Sequence, residues 1–217
     1  MNLKSLIVLI VLISAMFFAV QTKAQDTTIV KTSNTWTDIS LFQIYNFDGA
    51  KRPLIWFNRE EGKYFLEARV NFDWNNTAGV LVGKTFSKSD KFWITPKIGF
   101  LFSFDEVGYN GLSPEVNFGG NIGKLKYFTM NQFAVNLDDD PNFLYQYTEV
   151  GYKLIGKITV KYAGQFYYEL VDGSELWIDQ GPQVVIPFAK KFVLKPWYTW
   201  DPNHDVQKLI VGIGMSY

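Results

Sequence analysis

From residue 35 onward the chain alternates apolar and polar side chains with period two and shows almost no helical period. The clearest stretch runs from Lys63 to Trp74. Tyr64, Leu66, Ala68, Val70, Phe72 and Trp74 fall on one face, and Lys63, Phe65, Glu67, Arg69, Asn71 and Asp73 on the other. Successive side chains of a strand point to opposite sides, so this segment has one greasy face and one nearly polar face. The pattern recurs. Phe92, Ile94, Pro96, Ile98, Phe100, Phe102 and Phe104 oppose Trp93, Thr95, Lys97, Gly99, Leu101 and Ser103. Ile158, Val160, Tyr162, Phe166 and Tyr168 oppose Lys157, Thr159, Lys161, Gln165 and Glu169. Segments 125–137 and 176–186 alternate less cleanly, which predicts β-bulges there.

The breaks between these runs predict twelve strands, near 35–45, 53–58, 63–74, 77–86, 92–104, 113–122, 125–137, 143–154, 157–169, 175–186, 191–200 and 207–217. The second is short, and without it the count falls to ten. One-faced strands in this number predict an all-β fold, a closed antiparallel transmembrane barrel with both ends of the chain on one side. The links alternate in kind. Arg59–Gly62, Ser87–Asp90, Gly123-Lys124, Ile155–Lys157 and Ala189-Lys190 are short inner turns. Asn46–Arg52, Asp105–Leu112, Asp138–Asn142, Val171–Ser174 and Asp201–Val206 are mostly longer outer loops, with Asn75-Asn76 as the exception. Acidic residues gather in the outer set and basic ones in the inner set, a segregation that a soluble sandwich has no reason to make.

The N-terminus changes the setting. Lys4 precedes an uncharged run, Leu6 to Val20, which is shorter than the ~20 residues a membrane helix needs. Thr22-Lys23-Ala24 supplies small residues for a signal peptidase, so residues 1–24 are expected to be a cleaved export signal. A short periplasmic segment, 25–34, would precede the barrel at 35–217. The expected location is the bacterial outer membrane. Cleavage removes Lys4 and Lys23, leaving nineteen basic residues against twenty-one acidic ones; nothing there suggests nucleic acid as a partner. The chain has no cysteine, which excludes disulfides and thiolate metal sites, while nineteen Phe, twelve Tyr and seven Trp suit a lipid-facing surface with interfacial aromatics.

The last segment, Leu209-Ile210-Val211-Gly212-Ile213-Gly214-Met215-Ser216-Tyr217, alternates and ends on an aromatic residue. It resembles the signal by which the barrel-assembly machinery recognises outer-membrane proteins. In strand count and length the chain is similar to two twelve-stranded channel families, the nucleoside-specific Tsx-like channels and the acidic-oligosaccharide porins. The likeness covers architecture only and carries over no binding residue. It implies outer-membrane lipid, lipopolysaccharide and, during biogenesis, the assembly machinery as partners.

Candidate chemistry lies first in the interior. The period places Glu67, Arg69, Asp73, Lys97, Glu115, Glu149, Lys161, Glu169, Asp179 and Lys195 in the lumen, with Asn117, Asn121, Gln132 and Gln165. Such a lining serves a hydrated pore that takes a small polar solute, or it pairs across the lumen and plugs it; Lys97 with Glu115 and Glu149 with Lys161 sit on neighbouring strands. Twelve strands lie between filled eight-stranded barrels and open sixteen-stranded porins, so both states stay open. Trp93, Trp177 and Trp197 also point inward and could stack on a sugar. Asp138-Asp139-Asp140 and Asp105-Glu106 offer oxygen ligands but lack the spacing of a calcium loop, and read as solvated turns. His204, flanked by Asp201 and Asp205, would need Ser174 or Ser113 to build a hydrolase, and Asp201-Pro202-Asn203 is first a turn. The sequence therefore predicts no cofactor, no metal, no catalytic residue and no enzyme, but a passive channel or binding barrel for small polar solutes. A plugged accessory barrel is the alternative, followed by a barrel enzyme using His204.

Overall fold

The computed structural model describes residues 35–46, 51–71, 77–89, 91–104, 110–137, 141–154, 158–188 and 190–216. The expected export signal at 1–24, the 25–34 segment, Asp73, Asp105-Glu106, the three aspartates at 138–140 and Tyr217 lie outside them. The strands are β1 (Thr35–Asn46), β2 (Lys51–Glu61), β3 (Tyr64–Val70), β4 (Thr77–Lys84), β5 (Phe86–Ser89), β6 (Phe92–Ser103), β7 (Gly111–Ile122), β8 (Leu125–Asn136), β9 (Phe143–Lys153), β10 (Thr159–Glu169), β11 (Leu176–Pro187), β12 (Phe192–Asp201) and β13 (Val206–Ser216). Each pairs antiparallel with its neighbours, and β1 pairs with β13 from Asp38↔Ser216 to Asn46↔Lys208. β4 also pairs with β6, while β5 only extends β4 past Thr85 along the same neighbour. The result is a closed barrel of twelve staves, as the alternation predicts, with no free sheet edge.

Period two decides which side faces in. Along β6 and β7 every odd position from Thr95 to Leu101 and from Gly111 to Gly119 is inward, and those described there are buried or half-buried. The even positions carry the apolar residues, and Ile98 (49%) and Phe100 (61%) are exposed on the outside, as are Val82 (55%), Leu41 (55%) and Ile213 (48%) on β4, β1 and β13. Meanwhile Glu67, Arg69, Lys97 and Glu115 are buried inside. This inverts the ordinary soluble arrangement, in which charges are out and large apolar patches are rare.

Three expectations need correction. β2 is eleven residues long, paired with β1 from Thr35↔Glu61 to Tyr45↔Lys51, so Arg52 belongs to a strand and not to a loop. β3 ends at Val70, and Asn71 turns into the left-handed region with φ 56°, its side-chain amide donating to the Pro53 carbonyl. The bulges expected in β8 and β11 are absent from the described pairings, which keep one register along β7–β8 and along β11–β12. The alternation is blurred there because the outward positions of these strands include Thr129, Asn131 and Gln180. One end of the barrel carries the two-residue links Gly62-Lys63 and Gly123-Lys124, whose glycines sit at φ 64° and 62° where a side chain would be strained. The other end carries the longer links.

Candidate functional site

The interior has two distinct walls. On the first, β3 supplies Glu67 and Arg69, β6 supplies Lys97 and β7 supplies Glu115. Arg69 lies 3.1 Å from Glu67 and 3.0 Å from Glu115, and Lys97 pairs with both carboxylates. All four side chains have zero exposure. Two positive and two negative groups cancel, which is what allows charge in a place without water. Trp56 donates its indole N–H to Glu67 at 2.9 Å. With its nitrogen toward Glu115 (2.9 Å) and its oxygen toward Lys97 (2.8 Å), the Asn117 amide closes the group. Lys97 reaches Glu67 across β4, and it does so over Gly83, where a Cβ would stand 2.5 Å from the lysine Cγ.

The second wall, β9 to β13 with β1, stays open to water. Lys161 pairs with Glu149 at 2.5 Å, and each side chain is 19% exposed. Lys195 donates to Ser40 at 2.8 Å with Asp38 at 3.9 Å, and Lys208 pairs with Asp179 at 2.7 Å. Gln165 donates to Asp179 and accepts from Tyr145; Glu169, near the strand end, accepts from Tyr167 at 3.2 Å. The first two pairs sit toward the short-turn end and the Asp179 group toward the long-link end.

Between these two chambers runs an aromatic bridge. Trp93 and Phe128 lie 5.9 Å apart, Phe128 and Tyr147 6.0 Å, and Tyr147 meets Trp197 edge-to-face at 5.8 Å and 81°. Trp197 is pinned by its N–H to the Gly181 carbonyl and Tyr147 by its hydroxyl to Glu149. Met130, Ala163 and Ile210 are buried with them. The lumen therefore has a waist made of β9 and β12 side chains.

Glu67, Arg69, Lys97, Glu115 and Asp179 are buried, Glu149, Lys161, Glu169 and Lys195 are half-buried, Trp177 is exposed at the rim, and Asp73 lies outside the described residues. Among the participants missed, three show why. Arg52, which has the parity of the inward Trp56 and Asn58 on β2, was read as a loop residue. Lys208 adjoined a predicted loop although it is two residues from the inward Ile210. Tyr147 shares the parity of Glu149, and that was its only signal.

His204 sits in the 202–205 turn. It is stacked on Trp177 at 3.7 Å and bonded through Nδ1 to Asp201 (2.8 Å) and through Nε2 to Glu175 (2.9 Å). Those bonds raise its pKa above the usual 6.5, Asp201 contributing most and Glu175 next. Both ring nitrogens are engaged by carboxylates, and Ser113 is buried in the barrel with Gln132, so the arrangement holds the turn. Among the described residues no group of three or more metal-binding side chains occurs.

No family model matches the chain, and neither does any curated protein. Solved structures do. A KdgM porin is 11% identical, with 83% of this chain and 99% of that chain covered and a TM-score of 0.64. A NanC porin is 12% identical, with 82% and 98% covered and a TM-score of 0.65. A KdgM porin in complex with disordered oligogalacturonate gives 11%, 84% and 99%, and a TM-score of 0.61. At these identities the likeness is one of fold: a small porin barrel.

Proposed function

We propose that this chain is a passive outer-membrane channel for small polar solutes, with Tyr147 and Trp197 setting the passage between two charged chambers. The observation that carries it is the inverted barrel: apolar side chains outside and paired charges inside, partly open to water along the β9–β13 wall. Nine of the thirteen strands have eleven or twelve residues, enough for the ~9–11 that a tilted strand needs to cross a bilayer. The small-porin fold supports the same reading. An export signal at residues 1–24 would deliver the chain to that membrane. Catalysis has no support in the His204 geometry.

A closed accessory barrel is the second reading, favoured by the fully buried Glu67–Arg69–Lys97–Glu115 group. Planar-bilayer recording on the refolded protein separates the two. A channel gives small ohmic steps, and Trp197→Ala, which removes one side of the waist, enlarges them severalfold. A stably folded wild-type barrel without steps, and a Trp197→Ala variant equally silent, would sink the channel reading.

A further inference from the structure

The outward face is not uniformly apolar. Over β8 to β11 the outward positions near the strand centres hold Thr129 and Asn131, Gln146 and Thr148, Gly164, and Gln180. They are register neighbours: Asn131↔Gln146, Thr129↔Thr148, Thr148↔Gly164 and Gly164↔Gln180. Gln146 donates to Asn131 at 2.8 Å, the two threonine hydroxyls share a bond at 2.9 Å, and Tyr162 donates to Gln180 at 3.3 Å. Around Gly164 the surface sinks into a depression of about 330 Å³, lined among others by Gln146, Thr148, Tyr162, Phe166, Ile178 and Gln180. No other side chain among the described residues bonds the Gln146 carbonyl oxygen or the Gln180 amide nitrogen.

Lipid tails offer these groups neither donor nor acceptor, and polar atoms left unpaired in hydrocarbon are costly. A carboxamide is both donor and acceptor, so a patch of amides is complementary to a copy of itself across a two-fold axis. A charged partner would meet no charge here. A glycine at the centre lets two barrel walls approach closely. We propose that this face joins two copies of the chain in the membrane, with the Gly164 depression on the symmetry axis and the Gln146 and Gln180 amides bonding across it. This rests on the reading that the outward face meets lipid.

The chain has no cysteine, so single cysteines report cleanly. At Gly164 a Cβ would meet the Gln180 Cβ at 3.5 Å and the Asp179 oxygen at 3.7 Å, which is ordinary contact. Gly164→Cys, oxidised in outer-membrane fractions, is expected to give a covalent species of twice the monomer mass. Phe100→Cys, exposed on β6 four staves away, gives none. The double variant Gln146→Leu/Gln180→Leu suits lipid better, and should keep a folded, heat-modifiable barrel while cutting the Gly164→Cys dimer at least tenfold. A monomeric wild type with no adduct, equal crosslinking from Phe100→Cys, or an adduct to a protein of different mass would each overturn the dimer. Failure of the membrane reading looks different: the wild type would then leave the membrane fraction without detergent.

Discussion

At Lys97 an ammonium sits between two carboxylates in a part of the barrel that solvent does not reach. Lys97→Met leaves Glu67 and Glu115 against Arg69 alone, an uncompensated buried charge that should cost about 3–5 kcal/mol. Urea titration of the folded barrel in detergent checks this, and a loss below ~1 kcal/mol would mean that water enters the group. The Lys97–Glu115 contact was legible in the sequence, since parity and strand order place the two on adjacent staves. Glu67 and Arg69 joining them was not. Their strand is separated from β6 by β4, and only the absence of a side chain at Gly83 lets the lysine lie across.

Among the elements, β6 shows how far alternation reaches. Ile98 lies near its middle and faces out, so Ile98→Arg should impair insertion by ~2–4 kcal/mol, whereas Tyr64→Arg, at the end of β3, should cost ~0–1 kcal/mol. Equal penalties, read from folding yield into vesicles, would contradict the depth assignment. β8 and β11 were harder to read, because outward amides and inward Met130, Ala134 and Trp177 exchange the usual signs without shifting register. The 202–205 turn is held by a histidine whose pKa is raised by Asp201 and Glu175. The sign follows: this hold is complete below the unfolded value of about 6.5 and is lost as pH rises through the higher folded value. Trp177 fluorescence should report it, since the ring stacks on His204, and His204→Ala should remove the pH step.

For the whole molecule, the interior charges nearly all have partners of opposite sign, so a conducting barrel should select weakly among ions. Lys161→Glu places two acids together on the water-reachable wall and should shift the reversal potential toward cations, more strongly at low salt. An unchanged reversal potential would place that wall off the conduction path. Whole-barrel closure was foreseeable from the even count of one-faced strands. The waist was not, because nothing in period two says which inward aromatic rings meet across the lumen.

The seam between β1 and β13 has a consequence in time. Leu41 and Ile213 face each other there although almost the entire chain separates them. Hairpins such as β7–β8 close over a two-residue link, but this joint must bring together ends whose loop entropy is among the largest the chain can present. No fragment that stops short of β13 can complete it, because the partner of β1 is synthesised after the twelve other strands. Assembly should therefore pass through an open ribbon with two bare edges, a species prone to stray pairing unless it is escorted. In a chain carrying Leu41→Cys and Ile213→Cys, the disulfide should form after one engineered between β7 and β8; simultaneous appearance would mean the ends meet before the walls do.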